Sequence, residues 1–201
     1  MAYDRDELVP VPRSAIRLPL ALTTPSDFDP ARPQTWPAIE GRLEYVSGRL
    51  LWMPPSGDEQ QDTCVDVITV LNLWRRDHVE FRVGGNEAGM ILGGDSRAAD
   101  AAVWRAADLG EYTGGYRRVP PVLAVEVAGK WDDEEGLHEK ASWYLAHGVE
   151  VVWLLYPRAR RAVVLDATGE TTFSEHEVIP ERSSLPGLLT SVDDLFRQVV
   201  R

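Results

Sequence analysis

The chain has 201 residues, 44% of them hydrophobic, and a formal net charge of −11. That size and composition suit one globular domain with a full core, and the charge argues against a general nucleic-acid coat, which would neutralise phosphates with Lys and Arg. A single cysteine, Cys64, excludes an intrachain disulfide and a cysteine zinc cluster, and no apolar stretch approaches the roughly 20 residues of a membrane span. The opening MAYDRDELVP is acidic and unlike a secretory signal, so a cytoplasmic protein with no membrane partner is expected. An acidic chain holds divalent metal well and duplex DNA poorly, although arginines cluster locally at Arg117-Arg118 and at Arg158, Arg160 and Arg161.

Residues 1–35 are proline-rich with little periodicity, which predicts an extended, partly mobile arm ahead of a single domain over 36–201. GRLEYVSGRLLWMPPS reads as a hairpin turned near Ser47-Gly48. Glu44 sits in its first strand, where alternation alone would point it at solvent. From about Glu59 to Asp77, Cys64, Val67, Ile68, Leu71 and Trp74 step by three and four, the pattern of an amphipathic helix packed on a sheet. FRVGGNEAGMILGG then predicts two short strands turned at Gly84 to Gly89 and closed at Gly93-Gly94, and AADAAVW a third strand that Asp100 opens. A lone Asp at a strand end is ordinarily a turn or capping residue.

The most informative stretch is PPVLAVEVAGKWDDEEGLHEKASWYLAHG, from Pro120 to Gly148. Val122 to Val127 form a near-continuous apolar run, as in a strand covered on both sides, and Glu126 interrupts it. A carboxylate desolvated there costs several kcal/mol, as a rough estimate, unless a cation, a metal or hydrogen-bond donors satisfy it. Asp132-Asp133 predict the start of a helix and Gly148 its stop. Lys140 shares the apolar side of that helix with Leu137, Ala141, Tyr144 and Leu145; a side chain snorkelling at the edge of the face is the plain alternative. VEVVWLLY follows as a buried strand, so the strand–helix–strand order predicts a right-handed parallel crossover. Ala162 to Leu165 returns beside it, short strands are expected near 171–174 and 177–179, and PGLLTSVDDLFRQVV reads as a loop entering a closing helix. The fold class is α/β or α+β with a mixed sheet flanked by helices.

An Asp in one strand, a Glu in the next and a Lys in the following helix form a set able to converge on Mg²⁺ or Mn²⁺, which favour hard oxygen ligands and keep waters in their remaining positions. In phosphodiester hydrolysis such a metal activates water and offsets phosphorane charge, while an ammonium orients the attacker or stabilises the same charge. By contrast, His78, His138, His147 and His176 show no metal-ligand spacing, GGNEAGMILGG lacks the P-loop Lys-Ser/Thr pair, and no serine sits in a nucleophile elbow. Trp131, Trp143 and Trp153 are able to stack on bases, though core or helix-face packing is the commoner fate of such residues.

At RLEYVSGRLLWMPPSGDEQQ, AADAAV, PPVLAVEVAGKWDDEEGLHEKASWYLAHGVEVVWLLYPRARRAVVL and LPGLLTSVDDLF, about residues 36–197, the chain resembles the Uma-two family of restriction endonucleases, a bacterial branch of the PD-(D/E)XK nuclease superfamily. The resemblance implies a restriction-endonuclease-like αβββαβ core with an added N-terminal hairpin. It makes Asp100 the first metal-binding acid, Glu126 the second, and the Val127 carbonyl a further metal ligand. Ala128 stands where many members carry their lysine. This family typically supplies it from the next helix, where Lys140 falls, with Tyr144 and Gly148-Val149 following as in the family. Glu44 matches an acid of the hairpin, with the implied role of binding a second metal or positioning Lys140.

Two positions depart from the family pattern: Ala99 replaces a proline before the first acid, and Gln60-Gln61 replace a His-Gln pair at the start of the first helix. Gln60 is thus a neutral amide where an acid, base or phosphate contact is usual. Lys130 is the other lysine near Glu126, but four residues along an extended chain project it roughly 13 Å away. The implied protein is a Mg²⁺- or Mn²⁺-dependent DNA endonuclease acting as a homodimer, with the N-terminal arm as a candidate exchange element. Two alternatives remain open: a non-catalytic binding or scaffold protein that keeps the fold, and a hydrolase of another phosphodiester.

Overall fold

The computed structural model describes residues 18–199 together with Pro12 and Ile16; of the expected arm, residues 1–11, 13–15 and 17 lie outside the described residues. The rest of the arm contributes β1 (Leu20–Leu22), which pairs antiparallel with β3 (Arg49–Met53). β3 folds back on β2 (Arg42–Val46) through Ser47 and Gly48, whose positive φ angles of 50° and 78° are those a two-residue hairpin turn needs.

The core follows in the order expected of a restriction-endonuclease-like fold: α1 (Asp58–Arg75), β4 (Phe81–Leu92), β5 (Asp95–Arg105), β6 (Leu123–Val127), α2 (Glu134–Ala146) and β7 (Val151–Tyr156). β8 (Arg161–Asp166) and β9 (Gly169–Ser174) extend the sheet, whose order is β1-β3-β2-β5-β6-β7-β8-β9, with β4 also on β5. β6 and β7 are parallel, as the intervening helix requires, and the neighbouring pairs are antiparallel. A separate pair, β10 (Val178–Ile179) and β11 (Thr190–Ser191), leads into a 3₁₀ helix at Val192–Phe196. α1 and this C-terminal segment cover one sheet face, with Val67, Leu71 and Phe196 packed in the same core as Val125 and Val127. α2 covers the other through Leu137, Ala141 and Tyr144, in a core shared with Ala102, Ala124 and Leu154.

Three local expectations are corrected. The glycine-rich segment is one strand, not two: Asn86 and Glu87, with φ of 55° and 59°, form a bulge where the register jumps from Gly85↔Ala101 to Ala88↔Ala99. The glycines at its ends serve close packing, since a Cβ on Gly84 would lie 2.7 Å from Cζ3 of the buried Trp104. Gly84→Ala is therefore expected to destabilise the fold by about 1–3 kcal/mol through overpacking, measurable by urea denaturation; an unchanged midpoint would show that Trp104 yields. Asp100 lies in the middle of β5 and opposite the bulge, because that strand begins at Asp95 and not at Asp100. The closing helix is only five residues of 3₁₀, capped by Ser191, which accepts from Asp194 N.

Candidate active site

The edge of β5 opposite β4 is shared by two strands. β2 pairs with it at Tyr45↔Ser96, and β6 at Ala101 to Val103. Between these lies a fork, and the backbone of Ala98 within it has side-chain partners instead of a strand: its N–H donates to Glu44 Oε1 (3.3 Å) and its carbonyl accepts from Lys140 Nζ (3.1 Å). Continuing the β5–β6 register from Ala101↔Val125 sets Asp100 opposite Glu126, so the two acids project from one face of the sheet. The bulge in β4 sits on the other side of Asp100, a placement common beside active sites because it re-aims a side chain.

Glu126, 3% exposed, accepts from Lys140 Nζ on Oε2 (2.9 Å) and from the Tyr144 hydroxyl on Oε1 (2.6 Å). The lysine and tyrosine stand one helical turn apart on α2, which explains their spacing. Lys140 also lies 2.8 Å from Glu44 Oε1. An ammonium has three protons, and Glu44, Glu126 and Ala98 O supply three acceptors. The snorkelling alternative for Lys140 and the solvent-facing one for Glu44 both fail: each side chain is enclosed, at 12% and 4% exposure.

Burial pushes Glu126 up to about 7, with Asp100 and Glu44 adding to the shift and Lys140 opposing it. Burial likewise raises Asp100. Burial works against the charge on Glu44, yet Lys140 and Arg97 together hold it below the usual carboxylate range. Lys140 stays charged, since Glu126 and Glu44 outweigh its desolvation.

Asp100 accepts from the Val127 N–H at 2.7 Å and from Gln60 Nε2 at 3.3 Å, and the same amide donates to Val127 O at 3.0 Å. One amide thus spans the two acceptors that the family resemblance makes metal ligands. Gln60 is buried on the first turn of α1 and lines the mouth of the site, a contact for which helix periodicity held no signal. The donor set fits Mg²⁺ or Mn²⁺: two carboxylates, repelling each other at close range, and a carbonyl oxygen within reach of one bridging group. Among the described residues no cluster of three or more His, Cys, Asp or Glu forms a fuller cage.

The site opens into a cleft of about 400 Å³ whose walls include Arg42, Gln60, Lys140 and, at its rim, Lys130 and Trp131. Leu18 and Pro19 from the arm also border it, and neither they nor Arg42 stood out in the sequence. Trp131 is 45% exposed, with Lys130 Nζ 5.2 Å from its ring centre, whereas Trp153 is buried in the core and Trp143 donates to Asp95 Oδ2. Lys130 and Lys140 are the two lysines of the chain, and both face this cleft. Cys64 is half-buried against the core, as expected of a packing residue.

The histidines lie elsewhere, on local partners. His78, His138 and His147 contact the carbonyls four residues before them, at Trp74, Glu134 and Trp143. His176 pairs with Asp193, whose hydrogen bond raises the imidazole above 6.5. A midpoint above 6.5 is therefore expected for His176 in an NMR titration, returning toward 6.5 in Asp193→Asn. The histidine's part of this pairing is fully present below 6.5 and is lost as pH rises through the folded-state midpoint. An unshifted midpoint in the native chain would contradict the pairing.

Comparison with known proteins agrees with this architecture. A solved structure from Anabaena variabilis ATCC 29413, described as "a putative nuclease belonging to DUF820", superposes with a TM-score of 0.74 at 19% identity, covering 83% of this chain and 96% of that one. At that identity the likeness speaks for the fold. No protein with curated annotation matches the sequence. No helix among the described residues is long and apolar enough to cross a membrane. A family model named Uma2 and described as "Putative restriction endonuclease" matches residues 33–193, and the chain belongs to that family.

Proposed function

We propose that the protein is a Mg²⁺- or Mn²⁺-dependent DNA endonuclease of the cytoplasm, hydrolysing phosphodiester bonds in the cleft between β2 and α2. The observation that carries the proposal is the juxtaposition at the strand fork of Asp100, Glu126 and the Val127 carbonyl, with Lys140 bonded to Glu126. Asp100, Glu126 and Val127 would hold the cation. When bound, it supplies an activated water and offsets charge on the phosphorane. Lys140 and Tyr144 orient Glu126, and Glu44 keeps Lys140 beside it. The three enclosed carboxylates, Glu44, Asp100 and Glu126, face three cations, Arg42, Arg97 and Lys140. This balance leaves the site able to take a divalent cation together with an anionic phosphodiester. A homodimer supplies the two sites needed to cut both strands of a duplex.

The test is nicking of supercoiled plasmid, and cleavage of single-stranded DNA, with Mg²⁺, Mn²⁺ or EDTA. Cleavage in either metal that is lost in EDTA is expected. One observation favours the non-catalytic alternative: the Gln60 amide already bridges Asp100 and Val127 O. A well-folded protein inert with every metal, and with small phosphodiesters such as bis-(p-nitrophenyl) phosphate, would decide for it. Turnover of the small ester alone would point to a different phosphodiester.

A further inference from the structure

Arg42, Arg97 and Lys140 bring positive charge into the cleft, and they differ in how fully their donors are used. Lys140 is saturated by Glu44, Glu126 and Ala98 O. Arg97 donates through NH1 to Glu44 Oε2 at 3.0 Å and its guanidinium lies 5.1 Å from the ring centre of Trp143, although its buried Nε has no hydrogen-bond partner. Arg42 is different. Its side chain is 14% exposed, its buried Nε likewise has no hydrogen-bond partner, and, unlike those of Arg97, its approaches to carboxylates are all long, 3.5 Å from NH1 to Asp100 Oδ1 and 4.0 Å from Nε to Glu87 Oε1. These contacts hold the charge without meeting the geometry of a hydrogen bond.

A desolvated guanidinium with open donors is costly, so such a group calls for a partner. Arg42 is also placed with care. It starts β2 opposite Met53, behind Gly41, whose φ of 109° and close approach to Trp52 exclude a side chain there. It precedes Glu44 by two residues, so both project from the same face of the strand into the cleft.

We infer that Arg42 is the phosphate-binding residue of this site, donating its unused N–H groups to the non-bridging oxygens of a phosphodiester beside Asp100, while Lys140 is a positioning residue for Glu126. A guanidinium fork matches two phosphate oxygens at once, whereas the three protons of Lys140 are already committed. The inference rests on the phosphodiester reading proposed above and names the side chain that meets the substrate anion.

The test compares native protein, Arg42→Met and Arg42→Lys. Binding of a fluorescein-labelled oligonucleotide is measured with Ca²⁺ over a range of salt, hydrolysis of bis-(p-nitrophenyl) phosphate with Mn²⁺, and the thermal midpoint in EDTA. For Arg42→Met, binding is expected to weaken about 10-fold or more, and the slope of log affinity against log salt to lose about one unit, the signature of one lost phosphate contact. Arg42→Lys should regain part of the affinity as a point charge. The metal-free midpoint should fall only modestly, since Arg42 approaches Asp100 without a hydrogen bond and Asp100 keeps its bonds from Val127 N–H and the Gln60 amide.

Native binding with unaltered affinity and salt slope in Arg42→Met would overturn the inference and leave the nuclease reading standing. A large fall in midpoint, or failure of both variants to fold, would make Arg42 a structural counter-ion of Asp100 and overturn it too. A native protein that neither binds the oligonucleotide nor hydrolyses the ester would overturn both.

Discussion

Asp100→Asn is expected to reduce DNA cleavage to the level seen in EDTA while leaving the protein folded. The substitution keeps the shape of the side chain and one oxygen to accept from the Val127 N–H, but it removes one of the two carboxylates that would hold the cation. It also turns an NH₂ group toward the Gln60 amide or Arg42, which themselves donate. A readout independent of turnover is the stabilisation of the protein by Mn²⁺. A ligand at a hundred times its dissociation constant adds about 2.7 kcal/mol to the native state, or roughly 5–11 °C for a chain of this size. The native protein should show that shift and Asp100→Asn should lose it. Cleavage at native rates in Asp100→Asn would remove this residue from the site.

The second large effect concerns stability. Lys140→Met should destabilise the fold by about 3–5 kcal/mol, the range for breaking one side of a buried ion pair. The loss leaves Glu44 and Glu126 enclosed, with Ala98 O also short of its donor. Met fills most of the volume, so packing contributes little to the deficit. Adding Glu126→Gln to Lys140→Met should recover part of it, because the amide needs no counter-ion; a double-mutant cycle by urea denaturation isolates that coupling. Additive effects, or a midpoint unchanged in Lys140→Met, would mean that the lysine holds nothing in place.

These two effects separate what was legible in the chain from what was not. The hairpin at Ser47-Gly48, α1, and the β6–α2–β7 unit follow from local signals: turn residues, apolar period, the Asp133 cap that accepts from Gly136 N, and Gly148 with its φ of 90°. Glu126 was conspicuous because a charge inside an apolar strand demands a partner. Lys140 was conspicuous because it shares a helix face with Tyr144. The glycine-rich segment misled because Gly84 and Gly89 resemble turn residues, whereas they admit Trp104 and Tyr116 close to the backbone of a continuous strand. Glu44 and Gln60 had no distinguishing pattern: one alternates like a surface residue, and the other opens a helix like any polar residue.

By itself the sequence determined the hairpin, α1 and the β6–α2–β7 unit in their order, and the acid and lysine whose placement in apolar surroundings called for partners, since propensity, period and capping act over a few residues. Only the tertiary structure decided which groups meet. The fork in the sheet brings Glu44 to Lys140, the bulge faces Asp100, Gln60 reaches across from α1 to Val127 O, and Arg42 arrives in the cleft with donors unused. Each of these depends on pairing between segments far apart in the chain, where a one-residue change of register would turn every side chain to the opposite face.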